Sequence, residues 1–350
     1  MAVRQKREVS LKVGVIGPRG LVGEELLRLL EKKKWVDQLT LISTESGVSG
    51  KIKFRGAGVP LLGWAKFLAP KRSALNILIS LADAGWSKQY LKRFFGASQF
   101  IIDESSAFRM NPDVPLIIPE INGSLIRENP PKLVASPNCT TVVLALAVAP
   151  FLKHSPIRRI VTASYQAASG AGRDARDGFV KELKFLASGK LKSSRAFAQI
   201  LAGNVLPQIG SFSESGFSEE EEKVAAETRK ILGLSDMPIS ATCVRVPVLR
   251  GHSLAVWVEL EKPLPAAGSL TGVYEGFPGV HFSDSSYPTP LTVDSKPGVY
   301  VGRVRRDPVW PNGISLWASG DNLLKGAAQN VLDIADLVTS ASNGSLGARL

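Results

Sequence analysis

Residues 9–16 alternate and then run apolar, as a strand does when it is buried in a parallel sheet. They lead into Gly17-Pro18-Arg19-Gly20-Leu21-Val22-Gly23. Residues 24–34 follow, where Leu26, Leu27, Leu29 and Leu30 form a helical apolar stripe. The same alternation continues with strands over 39–43, 75–80 and 99–103 and a helix over 86–95. Strands alternating with helices predict an α/β first half, a Rossmann-like doubly wound sheet.

Around Pro137 the pattern changes. A helix is predicted over 141–152, a strand over 159–165, and amphipathic helices over 177–191 and 218–232. β-rich segments lie between 241 and 261, and a further strand runs over 298–305, which together read as an α+β second domain. Residues 322–338 are helical again and are expected to return to the first domain. The expected division is 1–138 with 321–350 for the first domain and 139–320 for the second. Two domains also suit a chain of 350 residues.

Composition narrows the function classes. The longest apolar run, 142–152, is too short to span a bilayer and ends at Lys153. The first residues carry Arg4, Lys6, Arg7 and Lys12 without the apolar stretch of a secretory signal, so they read as a short tail. Two cysteines and three histidines leave no set for a disulfide framework or a structural zinc site, so no metal is expected and a reducing, cytoplasmic setting follows. The net charge of +12 comes from Lys and Arg spread along the chain, with no nucleic-acid motif beside them. A generally basic surface, or an enzyme that handles phosphorylated anions, accounts for it; neither a nucleic-acid nor a membrane partner is expected.

Four segments carry candidate chemistry. The turn Gly17-x-x-Gly20-x-x-Gly23 ends a buried strand and opens a helix. Such a turn offers backbone N–H groups and a helix N-terminus to a pyrophosphate, although its spacing is not the common one. Ala135-Ser136-Pro137-Asn138-Cys139-Thr140-Thr141 puts a cysteine at a helix N-terminus, where the dipole favours thiolate; a small buried hydrophobe is the other reading. Ser164-Tyr165-Gln166-Ala167-Ala168-Ser169-Gly170-Ala171-Gly172 lets backbone approach a ligand closely, or is a strand ending in a flexible turn. In the segment from Cys243 to Ser253, Arg245 suits a bidentate carboxylate contact and His252 suits proton transfer near neutrality.

Taken together, these residues resemble the aspartate-semialdehyde dehydrogenase family. The resemblance extends through Phe108-Arg109-Met110-Asn111-Pro112-Asp113-Val114-Pro115-Leu116, Glu220-x-x-Lys223, Val301-Gly302-Arg303-Val304-Arg305 and Asp321-Asn322-Leu323-Leu324-Lys325-Gly326-Ala327-Ala328, in order along nearly the whole chain. It implies a catalytic and dimerisation role for the second domain, in a homodimer or homotetramer. It implies NADPH-dependent reduction of β-aspartyl phosphate to aspartate β-semialdehyde and phosphate through a Cys139 thioester. This is a step of aspartate-family biosynthesis towards lysine and diaminopimelate, threonine and methionine.

Residue by residue, Cys139 corresponds to the nucleophile, Gln166 to the residue that orients the acyl group, and His252 to the acid/base. Arg245 corresponds to the arginine on the substrate α-carboxylate and Glu220 to the acid at its amino group. Arg109, Asn138 and Lys223 correspond to the phosphate pocket. Within the acidic run Glu219 to Glu222, a solvated ion pair between Glu220 and Lys223 is the competing reading. Gly17, Arg19, Gly20, Leu21, Val22, Gly23, Thr44, Ser169, Gly170 and Asn322 correspond to the cofactor site.

Three departures bear on the cofactor. Pro18 and Arg19 replace small residues of the glycine turn, and Arg19 either reaches a cofactor phosphate or points to solvent. Ser43-Thr44-Glu45-Ser46-Gly47 lacks the arginine many relatives set against a 2′-phosphate, which keeps NAD open beside NADP. Ser80-Leu81-Ala82-Asp83-Ala84-Gly85 replaces a Ser-Ala-Gly-like loop. The alternatives are another acyl-phosphate reductase, such as N-acetyl-glutamyl-phosphate reductase, and a catalytically silent scaffold relative.

Overall fold

The computed structural model describes residues 10–69, 74–127, 130–264 and 269–341. Arg4, Lys6 and Arg7 of the expected basic tail, and Val9 of the expected first strand, lie outside the described residues. The chain divides into two compact units, Met1–Pro119 with Gly123–Ser136 and Ala328–Leu350, and Glu120–Asn122 with Pro137–Ala327.

The first unit is built on a seven-stranded sheet of β1 (Leu11–Ile16), β2 (Val36–Ser43), β3 (Lys51–Phe54), β4 (Ala57–Gly63), β5 (Leu75–Ser80), β6 (Ser98–Asp103) and β7 (Leu133–Ala135). Their order is β3-β4-β2-β1-β5-β6-β7, and every pairing is parallel except β3 with β4. The chain leaves β1 first towards β2 and later resumes on its other side at β5. The ends of β1 and β5 therefore bound the crevice where this class of sheet takes ligands. Val13, Val15, Ile77, Ile79 and Ile102 are buried in the core with Leu26, Leu27 and Leu30 of helix α1 (Leu21–Leu30). The C-terminal helix, Gln329–Ala341, buries Val331, Leu332, Ile334 and Ala335 in that same core, so the return expected from the sequence is present.

Helix α1 starts at Leu21, three residues before the expected start, because Gly20 is its N-cap. It ends at Leu30, after which Lys32 and Lys33 bond back three residues in a tightened turn. Helix α2 (Ala84–Tyr90) is capped by the Asp83 carboxylate, which accepts from Trp86 N at 2.9 Å. The β3–β4 hairpin escaped the sequence reading. Its turn is Arg55-Gly56 with φ of 47° and 81°, so an arginine sits where Asn or Asp would have signalled the turn. Three backbone carbonyls, those of Glu31, Lys33 and Val36, accept from the Arg55 guanidinium and hold it there.

The second unit carries a six-stranded sheet of β8 (Ile157–Gln166), β9 (Ile239–Arg245), β10 (His252–Leu260), β11 (Val280–Ser283), β12 (Val299–Arg306) and β13 (Gly313–Gly320), in the order β11-β12-β13-β10-β8-β9. Helix α3 (Cys139–Val148) packs on β10, β12 and β13, and every residue from Thr140 to Val148 is buried. It is apolar on all sides, as a helix in a core must be. The expected helix over 141–152 is therefore shifted to begin at Cys139, and Pro150 confines the remainder to a 3₁₀ turn over Ala149–Lys153. Helix α4 (Arg173–Ala187) follows β8, and helix α5 (Glu219–Leu232) packs against α3 and β9. Ahead of α6 (Gln329–Ala341), the segment Leu324–Ala328 is a π-helical turn, where a continuous helix was expected from 322.

That π-turn buries a charge. Lys325 donates from Nζ to Glu120 Oε1 at 2.5 Å, which ties the short Glu120–Asn122 segment into the second unit. Removing either partner of such a pair leaves an uncompensated buried charge, at a cost of about 3–5 kcal/mol. Among the described residues no helix is long and apolar enough to cross a membrane.

Candidate active site

The sequence Pro137-Asn138-Cys139 fixes how α3 begins. Asn138 is the N-cap, with φ −57° and ψ 144°, and its Oδ1 accepts from the backbone N–H of Thr140 at 2.8 Å and of Thr141 at 3.3 Å. Cys139 is thus the first helical residue, half-buried at the positive end of the helix dipole. Asn138 is itself held from α5. Its backbone N–H donates to Glu227 Oε2 at 2.7 Å and its Nδ2 to Glu220 Oε1 at 3.0 Å.

Glu220 Oε1 also accepts from Gln166 Nε2 at 3.2 Å and from Thr140 Oγ1 at 3.4 Å. Each glutamate of the acidic run has a different partner. Glu221 closes a capping box with Ser218 and accepts from Cys243 N at 2.8 Å, and Glu222 accepts from Ser213 Oγ. Glu219 pairs with Lys223 at 3.6 Å on the exposed side of the helix. The i,i+4 pair Glu219–Lys223 therefore forms on the solvent side, while Glu220 is turned inward and buried. Four carboxylates in one first turn are tolerable because the dipole there favours negative charge.

Register brings the remaining candidates together. Gln166 and Arg245 are partners at the C-terminal ends of the parallel pair β8 and β9, and His252 opens the antiparallel β10 next to β8. One residue orients both side chains. The Ala167 carbonyl accepts from Arg245 Nη1 at 2.7 Å, and the Ala167 N–H donates to His252 Nδ1 at 3.1 Å. A backbone N–H can only donate, so Nδ1 is an acceptor and the neutral imidazole carries its proton on Nε2. That Nε2 is buried and makes no hydrogen bond among the described residues. Over it lies Gly170, where a Cβ would stand 2.9 Å from Arg245 Nη1 and 3.1 Å from His252 Nε2. A side chain at this position would have to displace Arg245 or His252.

Burial, and then the charge of Arg245, pull the His252 pKa down to about 3; the Gly251 backbone acts the other way. Burial also lowers Arg245, which the Glu220 carboxylate opposes. Cys243 is pushed up to about 12, chiefly by burial, with Glu220 and Glu221 adding to it, so it stays a thiol. Neither cysteine is in a disulfide, and no metal-ligating cluster occurs among the described residues. Ser169 and Asn322 also meet here. Asn322 Oδ1 accepts from Ser169 Oγ at 3.1 Å and from Gly251 N at 2.8 Å, tying the turn before His252 to the turn that bears Gly170.

The remaining candidates lie in the first unit. Gly17 has φ +72° and a Cβ on it would stand 3.0 Å from the Leu81 carbonyl oxygen; a Cβ on Gly23 would meet the Pro18 carbonyl oxygen at 2.4 Å. Gly20 caps α1 without any side-chain hydrogen bond, so the first turn, with Leu21 and Val22, presents backbone rather than a side-chain cap. This cradle fits a dinucleotide pyrophosphate. Arg19 Nη2 would lie 3.1 Å from a Cβ on Gly50, in the loop after β2 that also holds Thr44 and the exposed Glu45. Thr44 accepts through its carbonyl from Trp86 Nε1. Arg109 is buried, with Nε bonded to the Ser136 carbonyl at 2.9 Å and Nη2 to that of Glu104 at 2.6 Å.

Two contacts were missed in the sequence. Glu227 stands seven residues after Glu220, on the same face of α5, and that spacing was its only signal. Gly326 packs on the cysteine, since a Cβ there would stand 2.8 Å from Cys139 Cβ.

Residues 12–129 match the family model for the semialdehyde dehydrogenase NAD binding domain, and residues 148–325 match that for the semialdehyde dehydrogenase dimerisation domain. Aspartate-semialdehyde dehydrogenase of Aquifex aeolicus is 36% identical over 94% of this chain and 98% of its own length. That of Bacillus subtilis is 33% identical over 93% and 97%. The crystal structure of aspartate semialdehyde dehydrogenase II from Vibrio cholerae, complexed with ASA, superposes with a TM-score of 0.88 at 32% identity, covering 95% of this chain and 98% of that one. With both family models and near full-length relatives in agreement, the chain belongs to the aspartate-semialdehyde dehydrogenase family, oxidoreductases that bind a nicotinamide dinucleotide.

Proposed function

We propose that Cys139 is the covalent nucleophile in the reduction of β-aspartyl phosphate to aspartate β-semialdehyde and phosphate. The observation that carries this reading is a cysteine at the first position of a capped helix, beside a sheet end that gathers Gln166, Arg245 and His252 with Glu220. Cys139 Sγ attacks the acyl carbon, the bond from that carbon to the phosphate oxygen breaks, and phosphate leaves with the electron pair. Arg245 takes the substrate α-carboxylate and Glu220 its amino group, while Gln166 orients the acyl group. Asn138 already engages the N–H groups of Thr140 and Thr141, so the carbonyl oxygen is assigned to the Nε2–H of His252. A bound reduced nicotinamide supplies the hydride. His252 then holds the proton at the substrate oxygen while the bond to Sγ breaks and Cys139 returns as thiolate. Arg109 and Lys223 are assigned to the phosphate on the family resemblance alone, as are Thr44, Ser169, Gly170 and Asn322 to the cofactor.

NADP is the preferred dinucleotide in this reading. Arg19 lies over the loop that follows β2, where an arginine accommodates a 2′-phosphate in this fold, although Glu45 stands nearby. The two cysteines outside any disulfide suit a cytoplasmic enzyme. Homodimerisation is placed on the open face of the second sheet. There Val161, Ala163, Tyr165, Ala255, Trp257 and Trp317 lie in register on neighbouring strands, with Tyr165 and Val161 exposed and the Tyr165 and Trp317 rings 5.4 Å apart. A contiguous apolar patch of this kind marks an interface.

Three measurements test the reading. Aspartate β-semialdehyde with phosphate should reduce NADP faster than NAD, and Cys139→Ala should abolish turnover while dinucleotide binding persists; turnover retained by that variant contradicts the assignment. Sedimentation should show a dimer that Val161→Glu converts to monomer, and an unchanged dimer would place the interface elsewhere.

The third concerns pH. Because the folded pKa of His252 lies near 3, below its ordinary value of 6.5, neutral His252 contributes stability above pH 6.5 that is lost progressively as pH falls towards 3. The wild type should therefore lose thermal stability between pH 6.5 and 3 more steeply than His252→Gln. Its kcat/KM should show no inflection near pH 6.5 that the variant removes. Such an inflection would mean that His252 titrates normally.

A further inference from the structure

The residue before the nucleophile is restrained through its backbone as well as its side chain. The N–H of Asn138 lies outside the helix, so no intrahelical carbonyl can take it. It belongs to a part-buried stretch in which an unpaired donor is costly. The acceptor is Glu227 Oε2 at 2.7 Å, on a side chain only 1% exposed and aimed from the second half of α5. Glu220, seven residues earlier on the same face, holds the side-chain amide of that same asparagine. The two carboxylates therefore restrain Asn138 at two points, and Asn138 in turn sets the first turn of α3.

We propose that Glu227 is a positioning residue of the nucleophile: its carboxylate fixes the Asn138 backbone, and thereby Cys139, while its buried charge governs how readily the thiol ionises. Nothing in the arrangement gives it substrate to touch. Its role is to limit where Sγ can stand relative to the acyl carbon, and an error of about 1 Å there costs on the order of a hundredfold in rate. The charged and titratable groups around the start of α3 are Glu220 and Glu227 from α5, Arg245 and Cys243 from β9, His252 from β10 and Lys325 in the π-turn, with Lys230 acting on Glu227. Arg245 favours the thiolate and the two carboxylates oppose it, so Glu227 moderates the ionisation that Arg245 promotes.

The inference rests on Cys139 being the nucleophile, and the test separates the two. Wild type, Glu227→Gln and Glu227→Ala are compared for kcat, for KM towards aspartate β-semialdehyde, and for the pH dependence of iodoacetamide alkylation at Cys139, which needs no turnover. Glu227→Gln keeps an acceptor oxygen and should retain kcat within about threefold, whereas Glu227→Ala should lose about 10- to 100-fold with KM little changed. Removing the charge should move the midpoint of alkylation down by about half to one pH unit in both variants.

A Glu227→Ala enzyme with wild-type kcat overturns the proposal, as does an alkylation midpoint that stays put in Glu227→Gln. If Glu227→Ala does not fold, the Glu227→Gln midpoint decides alone. Failure of the nucleophile assignment itself would appear elsewhere, as turnover surviving in Cys139→Ala.

Discussion

The Oδ1 of Asn138 accepts the N–H groups of Thr140 and Thr141, and this cap places Cys139 as the first residue of a helix whose other residues are all buried. An N-cap contributes only about 0.5–2 kcal/mol. Burial of the apolar run from Val142 to Val148 contributes far more, at roughly 1.5–3 kcal/mol for each large side chain. The two terms have different consequences. Packing keeps α3 from sliding, whereas the cap fixes its starting residue and so the direction in which Sγ projects. Gly326 completes the arrangement by leaving room where any side chain would collide with Cys139.

The same asparagine connects Cys139 to the charges around it. Glu220 accepts from Asn138, Gln166 and Thr140 through one oxygen, so the helix start, the end of β8 and the start of α5 share one acceptor. Ala167 holds Arg245 by its carbonyl and His252 by its N–H. A guanidinium and an imidazole fastened to the same residue cannot both be cationic at low cost, and the imidazole, buried and already accepting at Nδ1, is the one that stays neutral. Neutrality makes His252 a fixed donor at Nε2 over a wide pH range, which suits stabilisation of oxygen charge better than a group that titrates near neutrality.

The outline of both domains was legible because it rests on long, strongly patterned segments. The buried strands Leu11–Ile16 and Leu75–Ser80 and the return of α6 each carry a clear apolar period. Cys139, Gln166, Arg245 and His252 stood out because each lies in a segment whose residue types already suggested chemistry. What the sequence hid depends on three-dimensional neighbours. The β3–β4 hairpin turns on an arginine at positive φ, stabilised by distant carbonyls. Strand β13 begins and ends in glycine and is recognisable only by its pairing with β10 and β12. Within the run Glu219 to Glu222, nothing local says that Glu220 faces inward while Glu219 takes Lys223; the packing of α5 on α3 and β9 decides it. Glu227 was invisible for the same reason, since its partner is a backbone N–H 89 residues away.

The most direct test of the covalent route is to mix the enzyme with β-aspartyl phosphate in the absence of any dinucleotide and identify the product by peptide mass spectrometry. The account predicts one aspartyl group per chain, on the peptide containing Cys139, released by hydroxylamine as a thioester is. No adduct, or an adduct on Cys243, would contradict it.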